Sequence, residues 1–222
     1  MQDELEVLVQ GYATFRNSYF NGDNGLYEKL VVEGQKPKVL MIACSDSRVD
    51  PAIVLGCQPG DLFVVRNVAN LVPPCESDNG YHGTSAALEF GIKSLKTKHI
   101  VIFGHARCGG IQSLFETSQE DKDKLSFIKK WMELAQPAYE RVQQEHAHLS
   151  QKEKMTTCEQ YSLLNSLENL MSFEWIQERV KAQQLFLHAW YFDMQTGLIY
   201  AYDKHTNDFK PLVKEITQEL YE

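Results

Sequence analysis

Two short apolar runs constrain the fold of this chain more than any other sequence feature. Residues 38–43 read KVLMIA and residues 99–104 read HIVIFG, and both runs are rich in Val, Ile and Leu. Runs of this length and composition are typical of strands that are buried on both faces of a sheet. A third strand is predicted at 61–65, and helical spacing of apolar residues over 84–95 separates it from the strand at 99–104. This alternation predicts an α/β fold with a central parallel sheet flanked by helices.

The N-terminal segment carries a different pattern. Over 4–20, apolar side chains recur at steps of three and four residues, which predicts an amphipathic helix. Asn and Gly residues at 21–24 then interrupt it. We therefore expect one domain over 1–222, made of an N-terminal helical arm (1–34) and an α/β core (35–222).

The second half of the chain is expected to complete the sheet and its helical layers. Strands predicted at 185–192 and 197–202 are joined by a short turn, which implies an antiparallel edge. Three helices are predicted at 109–115, 125–148 and 159–183, with Pro137 kinking or splitting the second. Pro211 is expected in the first turn of a short C-terminal helix.

The charge balance argues against two classes of partner. Asp and Glu number 30 against 22 Lys and Arg, which gives a net charge of -8. Binding to nucleic acid or to an anionic membrane surface needs clustered Lys and Arg, so neither partner is expected. No apolar run approaches the roughly 20 residues of a membrane span. The N-terminus, MQDELEVLVQ, lacks the basic start and apolar centre of a signal peptide, so a cytoplasmic location is expected.

Candidate metal ligands directly follow two of the predicted strands. Cys44 comes after the strand at 38–43, and His105 and Cys108 come after the strand at 99–104. If these strands are neighbours, the three side chains meet at the carboxyl edge of the sheet, where open α/β folds bind ligands. Two thiolates and an imidazole suit zinc, and three protein ligands leave a fourth position open, as in catalytic sites. A buried Cys can also be a small packing residue, but the two segments together favour a metal site.

The candidate ligands lie within longer motifs, which are C-S-D-S-R at 44–48, P-G-D at 59–61, V-R-N-V-A-N at 65–70, Glu89, and G-H-x-x-C-G-G at 104–110. These motifs resemble those of the β-class carbonic anhydrases, in particular the plant-like type I subgroup. The resemblance is strong over about 35–111 and looser elsewhere. It implies reversible hydration of carbon dioxide to bicarbonate and a proton, with one zinc ion per chain on Cys44, His105 and Cys108.

The resemblance also implies roles for residues near the metal. Asp46 and Arg48 would form a catalytic dyad, in which Arg48 holds Asp46 by forked hydrogen bonds and Asp46 orients a zinc-bound hydroxide toward carbon dioxide. Because the family builds its substrate pocket across a dimer interface, a homodimer or a dimer-based higher oligomer is expected. The residues expected in that pocket are Gln35, Phe63, Val68, Phe90 and Gly109.

Three positions depart from patterns found in the family. Phe90 follows Glu89 at a position where the family usually has Tyr, and Ser94 stands where some members have a proton-relaying His. Met41 stands where members that are inhibited by bicarbonate have a Trp. Because Met lacks the indole N–H donor, we expect no cooperative inhibition by bicarbonate.

Three alternatives to this function are weighed against the same residues. A zinc hydrolase acting on carbon disulfide would use the same three ligands and would differ in access to the pocket. A non-enzymatic zinc protein is disfavoured because Asp46 and Arg48 are both present. A cysteine redox enzyme is disfavoured because the sequence contains no C-x-x-C pair.

Overall fold

A computed structural model of the chain describes residues 3–20, 25–76, 78, 80–116 and 126–213. Residue contacts group the chain into two compact units, Met1–Lys36 and Pro37–Glu222. The predicted arm ends at residue 34, close to this division. That the whole chain forms a single domain stays a prediction.

The first unit contains two helices, α1 (Asp3–Phe20) and α2 (Leu26–Glu33), so the predicted N-terminal helix is confirmed. Aromatic rings join the two helices, and the ring centroids of Phe15 and Tyr27 are 5.6 Å apart. Much of the apolar stripe of α1 is nevertheless exposed. Apolar side chains that stay more than half exposed on this helix include Leu5, Val7, Leu8, Val9 and Tyr12.

The second unit is built on one mixed sheet. Its strands, within the described residues, are β1 (Val39–Cys44), β2 (Leu62–Asn67), β3 (His99–His105), β4 (Phe186–Asp193), β5 (Leu198–Asp203) and β6 (Asp208–Pro211). They lie in the order β2-β1-β3-β4-β5-β6. The pairs β1·β2, β1·β3 and β3·β4 are parallel, whereas β4·β5 and β5·β6 are antiparallel. The predicted fold class, a parallel centre with an antiparallel edge, is confirmed.

The prediction for Pro211 is wrong. Instead of opening a C-terminal helix, Pro211 is the last residue of β6 and pairs with Tyr200 of β5. Proline lacks an N–H group, so the end of an edge strand tolerates it. The pairing continues one residue further, where Leu212 donates its N–H to the carbonyl oxygen of Ile199 at 2.7 Å. Any part of the predicted helix after residue 213 lies outside the described residues.

Helices pack against one face of the sheet and against its carboxyl end, and a short helix packs against the other face. Among the described residues, no helix has the length and apolar character that a membrane span requires. The helices of this unit are α3 (Pro51–Val54), α4 (Gly83–Glu89), α5 (Gly109–Glu116), α6 (Ser126–Met132), α7 (Gln136–Glu145), α8 (Gln151–Leu170) and α9 (Glu174–Lys181).

Most of the predicted helices are present with different limits. The helix predicted at 84–95 is α4 followed by a π-helical turn, Phe90–Ser94. The predicted split at Pro137 is confirmed, because a 3-10 turn precedes α7 and Pro137 lies in the first turn of that helix. The helix predicted at 159–183 is wrong in its limits. Its main part, α8, begins eight residues earlier, where Ser150 and Glu153 form a reciprocal capping box.

Three apolar clusters surround the sheet. Leu40 and Ile42 of β1 face a cluster that includes residues of α4, α8 and α9. Met41 and Ala43 face the opposite side and pack with residues of α3 and of strands β3 to β5. A third cluster lies at the carboxyl end of the sheet and includes Cys44 together with residues of α5, α6, α7 and α8. The candidate metal ligands therefore lie in apolar, buried surroundings.

Candidate metal centre

The carboxyl ends of β1 and β3 lie side by side, which is the condition that the sequence analysis set for a metal site. The two strands are parallel neighbours, β1 ends at Cys44, and β3 ends at His105. Cys108 directly precedes α5. The three side chains converge there and are all buried, with exposed fractions of 5% or less.

The two sulfur atoms are at a distance that suits a shared metal ion. The Sγ atoms of Cys44 and Cys108 are 4.0 Å apart, so the thiols are free rather than joined by a disulfide bond. Two thiolates on a tetrahedral zinc ion, with Zn–S bonds of about 2.3 Å, would lie about 3.8 Å apart. All three candidate ligand atoms, one from each residue, lie within 4.8 Å of one another. This spacing fits a tetrahedral ion held by soft ligands.

His105 presents an unpartnered nitrogen to the same space. Its Nδ1 donates a hydrogen bond of 2.8 Å to the carbonyl oxygen of Ala106. In the neutral ring, this leaves the lone pair on Nε2. Nε2 is buried, and no group in the described part of the chain forms a hydrogen bond with it. A buried polar atom without a partner is costly, and a metal ion would satisfy it, so the residues present fit zinc.

The two thiols are electrostatically coupled. The hydrogen bond from Cys108, with help from His105, lowers the pKa of Cys44 well below that of an ordinary thiol, although burial opposes the shift. The pKa of Cys108 is raised, because that hydrogen bond and burial both favour its protonated form. The N–H groups of Gly110 and Ile111, at the start of α5, act in the opposite direction. The pair thus gives up one proton readily, and a cation bound by both sulfurs must displace the second.

Asp46 and Arg48 form the predicted pair. Nε of Arg48 donates to Oδ1 of Asp46 at 2.9 Å, and Nη2 donates to Oδ2 at 2.6 Å. The backbone N–H of Arg48 donates to Oδ1 as well, at 3.0 Å. These hydrogen bonds hold the pKa of the Asp46 carboxyl far below its usual range. Oδ2 of Asp46 lies 3.9 Å from Nε2 of His105, so the pair borders the space between the three ligands.

Arg66 organises the loop that carries Cys44 and Asp46. From β2, its Nε donates to the carbonyl oxygen of Cys44 at 2.9 Å, and its Nη2 donates to that of Asp46 at 2.7 Å. Its Nη1 pairs with Oδ2 of Asp50 at 2.9 Å. No role for Arg66 beyond its place in the motif at 65–70 was predicted from the sequence. The sequence signal that could have indicated a role at the sheet edge is a single Arg near the end of the apolar run LFVVRN.

Two of the predicted pocket residues lie beside the metal ligands. Val68 follows β2 directly, and its carbonyl oxygen accepts a hydrogen bond of 2.7 Å from the indole of Trp131. Gly109 begins α5, and a Cβ added there would meet no atom within 4 Å. The tight approach is at Gly110 instead, where a Cβ would lie 3.0 Å from Val68 Cγ1 and from Ala69 Cβ. A glycine at 110 therefore lets α5 begin close against the turn after β2.

Phe63 and Phe90 of the predicted pocket lie away from the metal ligands. Phe63 pairs in register with Leu40, four residues before Cys44, which is about 13 Å along a strand. Its ring packs against that of Phe90, with centroids 5.8 Å apart. Gln35 is exposed and belongs to the first unit. The roles of Gln35, Phe63 and Phe90 in a pocket shared between subunits stay predictions.

Glu159 is a buried residue near the site that was not predicted from the sequence. Its carboxylate accepts hydrogen bonds from the N–H of Cys108 at 2.9 Å and from the hydroxyl of Tyr191 at 2.8 Å. Burial raises the pKa of Glu159, and the two donors oppose the shift. Helical spacing could have indicated that Glu159 is buried, because it shares the buried face of α8 with Leu163 and Leu170.

A second cluster of side chains that could bind a metal is held together by ion pairs instead. Glu76, Asp78 and His82 also lie close together, but they are exposed or only partly buried. His82 pairs with both carboxylates. These contacts satisfy the imidazole, whereas the buried Nε2 of His105 forms no hydrogen bond with any of the described residues.

Comparisons with known proteins agree with this site. A sequence profile of the carbonic anhydrase family matches residues 39–199. "Beta carbonic anhydrase 5, chloroplastic" from Arabidopsis thaliana is 41% identical over 191 residues, which are 86% of this chain and 62% of that relative. The chain thus spans less than two thirds of that relative's length. Since this relative is named as a chloroplast protein, the expected cytoplasmic location stays a prediction.

Solved structures show the same fold. The β-carbonic anhydrase CcaA superimposes with a TM-score of 0.85 and 31% identity, covering 94% of this chain and 99% of that chain. A tetrameric β-carbonic anhydrase from Sordaria macrospora gives a TM-score of 0.78 and 27% identity, covering 90% of this chain and 96% of that chain. The family profile, the relative and these structures share one assignment: this chain belongs to the carbonic anhydrase family, in its β class.

Proposed function

We propose that this chain catalyses the reversible hydration of carbon dioxide to bicarbonate and a proton, with one zinc ion on Cys44, His105 and Cys108. The observation that carries the proposal is the convergence of two buried thiols and an unpartnered imidazole nitrogen at one edge of the sheet. Membership of the β-carbonic anhydrase family supports the same activity. Zinc bound at this site would supply a Lewis acid that lowers the pKa of water and so provides a nucleophile near neutral pH.

Asp46 is the acceptor beside the metal site in this proposal. Because Arg48 keeps the pKa of Asp46 below its usual range, the carboxylate is ionised at neutral pH and can only accept hydrogen bonds. A hydroxyl group that donates its proton to Asp46 has its lone pairs turned away from the carboxylate. Asp46 thereby selects the direction from which the nucleophile attacks carbon dioxide.

Arg48 fixes Asp46 in that role. It donates to both carboxylate oxygens, so Asp46 would be held beside the three candidate ligands. Nη2 of Arg48 also donates to the carbonyl oxygen of Arg107 at 3.1 Å. The dyad is thus attached to the loop that carries His105 and Cys108, and its position is set relative to the metal ligands.

We further propose that the active form is at least a dimer. Much of the apolar stripe of α1 is exposed, and Phe90 beside Phe63 is 47% exposed. Exposed apolar surface of this kind is typical of protein interfaces. The Sordaria macrospora relatives are tetrameric, which supports assembly here. Sedimentation at micromolar concentration should show a dimer or larger species, and an active monomer would contradict the proposal.

Cys108→Ala and Cys158→Ala test the metal assignment as a matched pair. Both cysteines are buried in the same apolar cluster, but only Cys108 is placed as a ligand. Metal analysis and stopped-flow hydration of carbon dioxide should give one zinc per chain and full activity for the wild type. Cys158→Ala should keep both, and Cys108→Ala should lose both, because two remaining ligands hold zinc poorly. Full zinc occupancy in Cys108→Ala would refute the assignment.

A further inference from the structure

We infer that Glu159 is a positioning residue for the metal site, where its carboxylate fixes the backbone of Cys108 and Tyr191 holds the carboxylate in place. Glu159 lies in α8, outside all of the motifs on which the family resemblance depends. The inference rests on the proposed zinc site and adds a residue that the proposed mechanism does not use.

The contacts of Glu159 link three elements. Oε1 accepts the N–H of Cys108 at 2.9 Å, and Oε2 accepts the hydroxyl of Tyr191 at 2.8 Å. Tyr191 belongs to β4, and the next residue, Phe192, accepts the N–H of Ala106 at 2.9 Å. The loop after β3 is therefore tied to β4 twice, once directly at Ala106 and once through Glu159 at Cys108.

The peptide group between Arg107 and Cys108 is held from both sides. Its carbonyl oxygen accepts from Nη2 of Arg48 at 3.1 Å, and its N–H donates to Glu159. Arg48 approaches from the dyad, whereas Glu159 approaches from the buried core, where it is only 4% exposed. The orientation of this one peptide plane thus depends on the dyad and on Glu159 together.

This peptide needs an external restraint. Arg107 has a φ of 56°, in the left-handed region that side-chain-bearing residues rarely adopt. Cys108 is followed by Gly109 and Gly110, and glycine restricts the backbone less than any other residue. The direction of the Cys108 side chain, which brings Sγ to 4.0 Å from that of Cys44, follows from the peptide plane that Glu159 holds.

The location of the carboxylate also argues for a role. A buried carboxylate is costly unless it is hydrogen-bonded, and Tyr191, which is 3% exposed, supplies one of its donors. An apolar residue on this face of α8 would avoid that cost. The acceptor function of Oε1 toward Cys108 does not require ionisation, because the oxygen of a neutral carboxyl or an amide also accepts an N–H.

Glu159→Gln and Glu159→Asp separate position from charge. The amide oxygen of Gln can still accept from Cys108, so Glu159→Gln should keep nearly all of the zinc affinity. Asp is one methylene shorter and cannot reach the same N–H, so Glu159→Asp should lower zinc affinity about 10–100-fold, as is usual for the loss of groups that orient metal ligands. Tyr191→Phe should give a smaller loss in the same direction.

Ser166→Ala is the matched control on the same helix. Ser166 is 1% exposed, and its hydroxyl accepts the N–H of Val72 at 3.2 Å. Removing that hydroxyl deletes a buried hydrogen bond without changing a contact of the loop that carries Cys108. Zinc affinity is measured by competition with a chelator, and cobalt substitution reports thiolate coordination through the intensity of the sulfur-to-cobalt absorption. Urea unfolding of each variant records whether the protein is folded.

The outcomes are distinct. The positioning role is supported if zinc affinity and cobalt–thiolate absorption both fall in Glu159→Asp and Tyr191→Phe. Glu159→Gln and Ser166→Ala should then stay near the wild type in both measurements. The opposite order, with Glu159→Gln weak and Glu159→Asp near the wild type, would show that charge matters and would overturn it. Equal effects in Glu159→Asp and Ser166→Ala would overturn it as well. A wild-type chain that takes up neither metal refutes the zinc site itself, and the positioning role with it.

Discussion

Arg48→Lys keeps a positive charge beside Asp46 but removes the forked contact, so it tests what the geometry of the dyad contributes. In the structure, Nε and Nη2 of Arg48 donate to different oxygens of Asp46, at 2.9 and 2.6 Å. Nη2 also donates to the carbonyl oxygen of Arg107. A lysine carries a single nitrogen on a flexible chain and cannot hold both oxygens in one plane. The substitution therefore frees the carboxylate to rotate.

The substitution should cost little stability and much activity. The side chain of Arg48 is 54% exposed, and exposed ion pairs contribute about 0–1 kcal/mol, so the free energy of unfolding should fall by about 1 kcal/mol or less. Displacing an active-site group by about 1 Å costs about 100-fold in rate. We therefore expect kcat/KM to fall about 100-fold, which is about 2.7 kcal/mol of transition-state stabilisation.

The loss should not depend on pH in the assay range. Arg48 holds the pKa of Asp46 below its usual range, and without the fork that pKa should rise toward the ordinary value of about 3.9. Asp46 is then ionised in both proteins between about pH 7 and about pH 9, more than three units above that value. The ratio of wild-type to variant rates should accordingly be constant across this interval.

Stopped-flow hydration of carbon dioxide, zinc analysis and urea unfolding on the same preparations check these expectations. Arg141→Lys is the control, because Nε of Arg141 pairs with Oε2 of Glu145 at 3.0 Å and its side chain is 45% exposed. The control should lose a similar amount of stability and no activity. A kcat/KM for Arg48→Lys within about threefold of the wild type, with zinc intact, would refute the reasoning; zinc loss in proportion to activity would refute it too.

Three other perturbations give independent checks. Phe90→Tyr adds one hydroxyl at a half-exposed ring, so hydration rate or anion inhibition should change by about tenfold at most, and unchanged values for both would show that position 90 serves packing alone. Because Met41 in β1 has no N–H donor in its side chain, we expect no cooperative inhibition by bicarbonate; a sigmoidal pH–rate profile that bicarbonate steepens would contradict this. Gly104→Ala places a Cβ 2.7 Å from Leu163 Cδ2 and should cost about 1–3 kcal/mol in urea unfolding. In Gly104→Ala/Leu163→Ala, the losses should be less than additive, and strict additivity would show that the two sites do not interact.

The sequence predicted the central strands because their signature is local. Apolar runs that are buried on both faces can be recognised without knowing their neighbours, and β1 and β3 lie within two residues of their predicted limits. The edge strand β6 was missed because its four residues are mostly exposed and carry no apolar pattern. Its pairing with β5 depends on a partner that only the folded sheet provides. The early start of α8 could have been found from the capping box of Ser150 and Glu153.

The metal ligands and the dyad were predictable for a related reason. Each of the three ligands directly follows a strand or precedes a helix, and Asp46 and Arg48 are two residues apart, so their chemistry and spacing are visible in the sequence. Whether β1 and β3 are neighbours was left as a condition, which the strand order then met.

The sequence by itself determined which residues could hold a metal and which segments form the sheet that carries them. The tertiary structure decided what holds those residues in place: Arg66 from a neighbouring strand, and Glu159 from a helix 51 positions along the chain from Cys108. Helical periodicity shows that Glu159 faces the interior, but it does not show what lies opposite. A buried polar side chain takes its partners from distant segments, so hydrogen bonds across long separations become visible only when the chain is folded.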